Sequence, residues 1–395
     1  MKVLIVHNDF RVYWKGRLMF LREFLATKDV DFYAIELFGK GSPYSFDNYE
    51  NQEQWWTCLF PDKSYEEISI REIRETFQSK MDEINPDVVI GGSIVFFAGA
   101  LGIRWAKNNH KKFIMFDDAK PSQVKRTLIV RTIKNLIIRQ VDGLWLPSED
   151  YDEAYVNLVH KNTLLFHGYN CIDNQLFRFK EKKEMNFTTL VCVARLVPIK
   201  NIDYLLWAWK IIERHRPDYK LAIIGDGPEF VGLNELTLKL GLKTVVFLGA
   251  VNNSDIPTYF NNSAAFVLPS LSESWGLVVN EAMAAGLPIL ISNKINASNA
   301  LLEEGVNGFG FEPSDVGGLA RKIMAFIELD KDEKVRMSNN SLRIIDKMDY
   351  ENMGEELYKA LNKLSMLKTK RVPALALLVI NIWHGRYNTA GWNKL

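Results

Sequence analysis

Cysteine is nearly absent. Cys58, Cys171 and Cys192 are odd in number and far apart in the 395-residue chain. No disulfide framework or metal-ligand spacing can be built from them, so a reducing cytosol is the expected compartment. Histidine is scarce too, six in all, and none stands in an evident nucleophile–base dyad. No apolar run reaches the length of a membrane span; the nearest candidate, "PALALLVINIW" from Pro373 to Trp383, has eleven residues. The apolar run in "MKVLIVHNDF" is too short for a signal-peptide core and reads as a buried first strand. The net charge of +1 implies no bulk attraction to nucleic acid. Neither half has G-x-G-x-x-G after its first strand, which argues against a nicotinamide cofactor.

What is present fits an ordinary globular protein, 47% apolar and 25% charged, long enough for two or three domains. Short apolar runs alternate with amphipathic segments. In the first half the strand candidates are "KVLIVH", "FYAIELF", "DVVIGG", "KFIMFDD", "GLWLPS" and "TLLFHG". A charged stretch at about 176–186 breaks the pattern and reads as a linker. The alternation then restarts with "TLVCVARL", "YKLAIIGDG", "VVFLGA", "AAFVLPS" and "PILISN". This pattern predicts an α/β protein with two doubly wound domains, residues 1–175 and 187–349. A helical tail, 350–395, returns to the first domain. Each sheet should carry its ligand crevice at the carboxyl ends of its strands.

One stretch carries most of the chemistry: "SLSESWGLVVNEAMAAG", residues 270–286. Pro269-Ser270 ends a strand, and a helix is expected from about Gly276 to Gly286. Its first N–H groups lack partners within the helix and can receive phosphate. Glu273 precedes that terminus and Glu281 follows it by about a turn and a half. Neutral hydroxyls such as ribose or sugar suit two such carboxylates. The plainer account is one carboxylate favoured by the helix dipole and one exposed helical Glu.

The E-x7-E spacing around an aromatic-Gly-Leu, followed by "EAMAAGLPIL", resembles the signature of the family 4 glycosyltransferases. "VARLVPIKNIDYLLWAW", "IIGDGPE" and "FLGAVNNSDIPTYFNNSAAFVLPSLSESWGL" resemble the segments that accompany it in that family, so the likeness runs from Thr189 to Gly310. The resemblance implies the GT-B fold, two Rossmann-like domains facing a central cleft, and a nucleotide-sugar donor. It implies retaining transfer to a glycan or lipid-linked glycan, as in cell-surface polysaccharide or lipopolysaccharide synthesis, with no metal or other cofactor. Residue by residue it makes Arg195 and Lys200 the cations on the donor diphosphate. Glu281 becomes the ribose ligand and Glu273 the carboxylate at the transferred sugar. Ser274, Trp275, Gly276 and Leu277 form the turn whose backbone meets the phosphates. Gly225, Asp226 and Gly227 either contact the donor or shape the crevice, and Val251 lies in the matching run. The first half departs from the family: Lys15-Gly16 stands where a Gly-Gly loop is common, and Asp117, before Asp118, stands where a histidine is common. Asp117 is thus either a catalytic group or the cap of the next helix. A sugar-nucleotide epimerase of the same fold and a non-catalytic nucleotide-sugar binder are the competing readings.

From Arg104 to Arg139 ten Lys/Arg stand against two acids. Within 123–141, Lys125, Arg126, Arg131, Lys134 and Arg139 alternate with Leu and Ile at helical spacing. This segment, with 366–386, would make a peripheral contact with an anionic membrane on its inner, cytoplasmic face, or else serve as an ordinary crossover helix. Finally, residues 43–65 hold seven aromatics, suited to stacking on an acceptor sugar or to packing on the first sheet.

Overall fold

Strands covered by crossover helices on both faces have no polar side to show, and they read as unbroken apolar runs. Such runs here form two parallel sheets. A computed structural model describes residues 1–10, 13–40, 53–123, 127–178 and 188–385. The chain divides into unit 1, which runs to Tyr169 and resumes at Tyr350, and unit 2, Asn170–Asp349.

Unit 1 begins with β1 (Lys2–His7), α1 (Tyr13–Ala26), β2 (Asp31–Phe38), β3 (Trp56–Phe60), α2 (Ile70–Ile84), β4 (Val88–Gly91) and α3 (Phe97–Asn108). It continues with β5 (Lys112–Phe116), α4 (Leu128–Ile138), β6 (Gly143–Leu146), α5 (Asp152–Tyr155) and β7 (Leu164–His167). The strand order is β3-β2-β1-β4-β5-β6-β7, every pair parallel. Val3 to Val6 of β1 and Val89 and Ile90 of β4 are fully buried at the centre.

Unit 2 repeats the plan. Its elements are β8 (Thr189–Val193), α6 (Ile202–His215), β9 (Lys220–Ile224), α7 (Phe230–Leu240), β10 (Val245–Gly249), α8 (Ile256–Asn261) and β11 (Ala265–Leu268). Then come α9 (Leu277–Ala284), β12 (Ile289–Ser292), α10 (Ser298–Leu301), β13 (Gly308–Phe311), α11 (Val316–Glu328) and α12 (Lys331–Ile345). The order is β10-β9-β8-β11-β12-β13, again all parallel. The last helices, α13 (Tyr350–Met366) and α14 (Ala374–Ile382), belong to unit 1. There α13 packs on α1 and β7, and α14 on α3 and α4.

Numbered within its own unit, the second sheet reads 3-2-1-4-5-6 and the first reads the same with a seventh strand added. The order reverses between β1 and β4 in one and between β8 and β11 in the other. Such a switch point, at the carboxyl ends of the two strands, is where a doubly wound sheet ordinarily takes its ligand. Two strands differ from the sequence expectation. The aromatic stretch contains β3, an edge strand on β2, and the region after "PILISN" contains β13 before its helices. Residues 179–186 of the expected linker lie outside the described residues. Among the described residues no helix is long and apolar enough to cross a membrane.

Candidate active site

The crevice of unit 2 is built by the loops after β8 and β11. The first carries Arg195, exposed, and Lys200, half-buried. The second carries Glu273, Ser274, Trp275 and Gly276 into α9. The two are tied together: the Leu271 amide donates to the Ile199 carbonyl at 2.8 Å. Asn201 Nδ2 reaches the Pro269 carbonyl at 3.2 Å and that of Pro313 at 2.9 Å. Lys200 Nζ pairs directly with Glu273 Oε1, and the same oxygen accepts from the buried Ser270 hydroxyl at 2.9 Å. Arg195, Lys200 and Glu273, distant in sequence, therefore share one end of one sheet.

The turn into α9 is held rigidly. Asn296 Nδ2 donates to the Ser274 carbonyl at 2.9 Å, and the Ala297 amide to that of Trp275 at 3.2 Å. The Trp275 indole is buried and donates to Asn280 Oδ1 at 2.9 Å, while Asn280 Nδ2 donates to the Asn170 carbonyl at 3.0 Å. The Trp275 side chain is thus an anchor in the core, and only the backbone here can serve a ligand. Gly276 has φ +97° and no side chain caps the helix that follows; the Val279 amide donates back to the Gly276 carbonyl at 2.8 Å, so Leu277 and Val278 supply the leading N–H groups at the positive end of the dipole. Glu281 is buried in the second turn of the same helix.

Gly225, Asp226 and Gly227 follow β9, beside β8. The Leu196 amide donates to the Asp226 carbonyl at 2.9 Å. A Cβ on Gly225 would lie 1.8 Å from the Ala194 carbonyl oxygen and one on Gly227 2.3 Å from that of Leu196, with φ +138° and +158°. These glycines let β9's turn sit against the Arg195 loop, so they shape the crevice; exposed Asp226 projects from it. Val251 follows the edge strand β10, separated from β8 by β9. Burial pushes the Cys192 thiol, at the end of β8, up to about 12, which leaves it inert.

In unit 1 the departures from the family pattern take physical form. Lys15 and Gly16 lie within α1 rather than in a loop. Lys15 is exposed, and a Cβ on Gly16 would meet the Tyr350 hydroxyl at 2.4 Å. Gly16 therefore lets α13 approach α1. Asp117 follows β5 and accepts from the Ala119 amide at 3.2 Å, closing a turn. Its neighbour Asp118 is pushed up to about 6 by burial and then by the Asp117 charge, with the Arg17 guanidinium pulling the other way. Tyr151 and Tyr155 donate to the carbonyls of Asp118 and Ala119 at 3.0 and 2.8 Å.

Sequence reasoning passed over His7, Tyr151 and Tyr155. His7, at the end of β1, stacks on Phe10 and Phe116 with ring centroids 5.4 and 5.7 Å away, and burial lowers its pKa. Ser270, Asn201 and Asn296 were likewise not singled out. Their partners lie 3, 68 and 112, and 22 positions off, and only the first is a local signal.

Residues 173–343 match the family model described as glycosyl transferases group 1. The chain is similar to an uncharacterized glycosyltransferase of Haemophilus influenzae, 27% identical over 68% of this chain and 74% of the relative. It is also similar to the Escherichia coli UDP-Gal:alpha-D-GlcNAc-diphosphoundecaprenol alpha-1,3-galactosyltransferase, 34% identical over 40% of each chain. Among solved structures, Anabaena HepE in complex with UDP superposes with a TM-score of 0.72 and 19% identity, covering 92% of this chain and 100% of that one. This likeness shows the fold, two Rossmann-like doubly wound units of the GT-B class. Residues 173–343, which hold those motifs, thus form a segment of the glycosyl transferases group 1 type.

Proposed function

We propose that the protein transfers a sugar from a nucleotide-diphosphate sugar to a glycan or lipid-linked glycan acceptor, with retention of configuration and no metal. The pathway would be cell-surface polysaccharide or lipopolysaccharide synthesis, in the cytoplasm. The observation that carries this is the meeting, at the switch point of unit 2, of a cation-bearing loop and an acid-bearing loop that opens a helix, joined by Lys200 and Glu273.

As the glycosidic bond breaks, negative charge grows on the diphosphate. Arg195, Lys200 and the N–H groups of α9 stand where two cations and fixed dipoles can meet it. A diphosphate drawing on the Lys200 ammonium would release Glu273 to accept from hydroxyls of the transferred sugar. Glu281 takes the ribose hydroxyls. The acceptor oxygen then attacks on the face the diphosphate leaves, the new C–O bond replaces the old one, and the acceptor proton passes to the departing phosphate oxygen.

The E. coli relative is named for a UDP-sugar donor and a lipid diphosphate acceptor, which makes UDP-sugars the first donors to test. Thermal-shift screening of UDP-, GDP- and other activated sugars, then incubation with labelled donor and glycan acceptor, tests the reading. Label in the acceptor is the expected result. An epimerised donor, or binding without turnover, would replace it with the epimerase or the non-catalytic binder.

A further inference from the structure

On α14, Ala376 and Ile380 are buried, whereas Leu375, Leu378 and Ile382 are 63%, 57% and 65% exposed. The exposed three recur at helical spacing on one outer face. Next to it lies α4, whose first turn exposes Leu128 and Ile129 by 69% and 73%. A helix on a soluble domain ordinarily turns polar residues outward, so two adjacent helices doing the reverse mark an interaction surface.

The two segments that form this face carry charge of one sign. The sequence holds no Asp or Glu between Asp118 and Asp142, and none after Glu356. The fold brings these two acid-free segments together, with Arg131, Arg139, Lys368 and Arg371 exposed. Lys134, expected among the surface cations, is instead buried, and Lys125 and Arg126 lie outside the described residues. The approach to α14 is fastened: Lys370 Nζ donates to the Val141 carbonyl and the Thr163 hydroxyl, both at 3.2 Å, and Lys112 Nζ to the Lys368 carbonyl at 3.0 Å.

We propose that the α4–α14 face seats unit 1 on an anionic lipid bilayer. Leu128, Ile129, Leu375, Leu378 and Ile382 enter the headgroup boundary, and the flanking cations meet lipid phosphates. A second copy of the chain on this face would oppose like charges, whereas an anionic bilayer answers apolar and cationic groups together. The inference concerns unit 1 and does not depend on the reaction proposed above, so either can fail alone.

The test is co-sedimentation of the full chain with vesicles of equal parts phosphatidylglycerol and phosphatidylcholine, against phosphatidylcholine alone. Binding to the anionic vesicles is expected, weakening as salt is raised. The double substitution Leu375→Gln/Leu378→Gln should cut partitioning about ten-fold, and Arg131→Glu/Arg371→Glu should do likewise. Circular dichroism and melting temperature should stay unchanged, since all four side chains are exposed. Equal binding to both vesicle types, no binding, or full binding by the double leucine variant overturns the proposal. So does a dimer, seen by light scattering, that the leucine substitutions dissolve.

Discussion

At the scale of single residues the crevice of unit 2 separates groups that would act on a ligand from groups that hold shape. Lys200→Ala and Glu281→Ala should each lower kcat/KM for transfer by about 100-fold or more. For Lys200, where the ion pair is partly exposed, folding stability should change by about 1 kcal/mol or less. Transfer assays beside melting curves check both, and full activity in both variants would remove the donor-site assignment. Gly225→Ala is expected to behave in the opposite way. Its Cβ has no room beside the Ala194 carbonyl, and φ +138° is unfavourable for alanine. It should cost about 2–4 kcal/mol of stability, read as a shifted urea midpoint. Asp118 predicts a pH effect. Its carboxyl, raised to about 6 by burial, holds a proton in the folded state where the unfolded chain has already lost it. Stability conferred by the neutral form is therefore present below about pH 4 and is lost as pH rises through about 6, on the order of 2–3 kcal/mol in all. Asp118→Asn should flatten the melting temperature between pH 4 and 7 and leave the variant more stable than the parent above pH 7. An unchanged slope would show that Asp118 does not titrate this way.

At the scale of elements, the crevice depends on short connections being held still. Asn201 is in the left-handed region, φ 59°, where it joins the Lys200 turn to α6 while its amide bonds two carbonyls from distant loops. Asn201→Ala adds a strained backbone and leaves buried carbonyls unmet, together about 2–3 kcal/mol. Asn201→Gly removes only the bonds. Both should raise the donor KM more than they lower kcat, since Lys200 would be less well placed; equal loss in the two constants would argue against this positioning role. The same elements show what a sequence can and cannot announce. The β11–α9 connection was legible because its signals are local: Pro269-Ser270 stop the strand, and Gly276 and Gly286, φ +97° and +77°, bracket the helix. β3 was not, because "WTCLF" has no clear alternation. Its place comes from pairing with β2 and from the Trp56 indole donating to the buried Glu36 carboxylate at 2.8 Å. β13 hid in "GFGF", where Gly308 is required because a Cβ would lie 1.8 Å from the Ile289 carbonyl oxygen. The acids and cations of the site could be read from residue type. The clamps of Asn201 and Asn296 could not, since their partners are chosen by the fold.

At the scale of the whole chain, the two units differ in how they are assembled. Unit 2 is one continuous segment, Asn170–Asp349, with its own core around Leu190, Trp209, Ile223 and Val267. Unit 1 is split: its sheet is completed by α13, which buries Met353, Leu357, Ala360, Leu361 and Leu364. Gly354 brings that helix close, for a Cβ there would fall 2.9 Å from the rings of both Phe20 and Phe24 on α1. Burying those five side chains is worth on the order of 8 kcal/mol, comparable with the net stability of a domain. Residues 170–349 made alone should therefore fold cooperatively and bind a nucleoside diphosphate as the full chain does, without transferring sugar. Residues 1–169 made alone should fail to fold, and adding a separate peptide of residues 350–385 should restore native-like circular dichroism. Calorimetry with UDP and GDP on the first fragment, and dichroism on the second with and without the peptide, read the two outcomes. A cooperative unfolding transition in the lone 1–169 fragment would mean that α13 covers a core already complete, and the tail would then be an addition to unit 1 rather than a part of its fold.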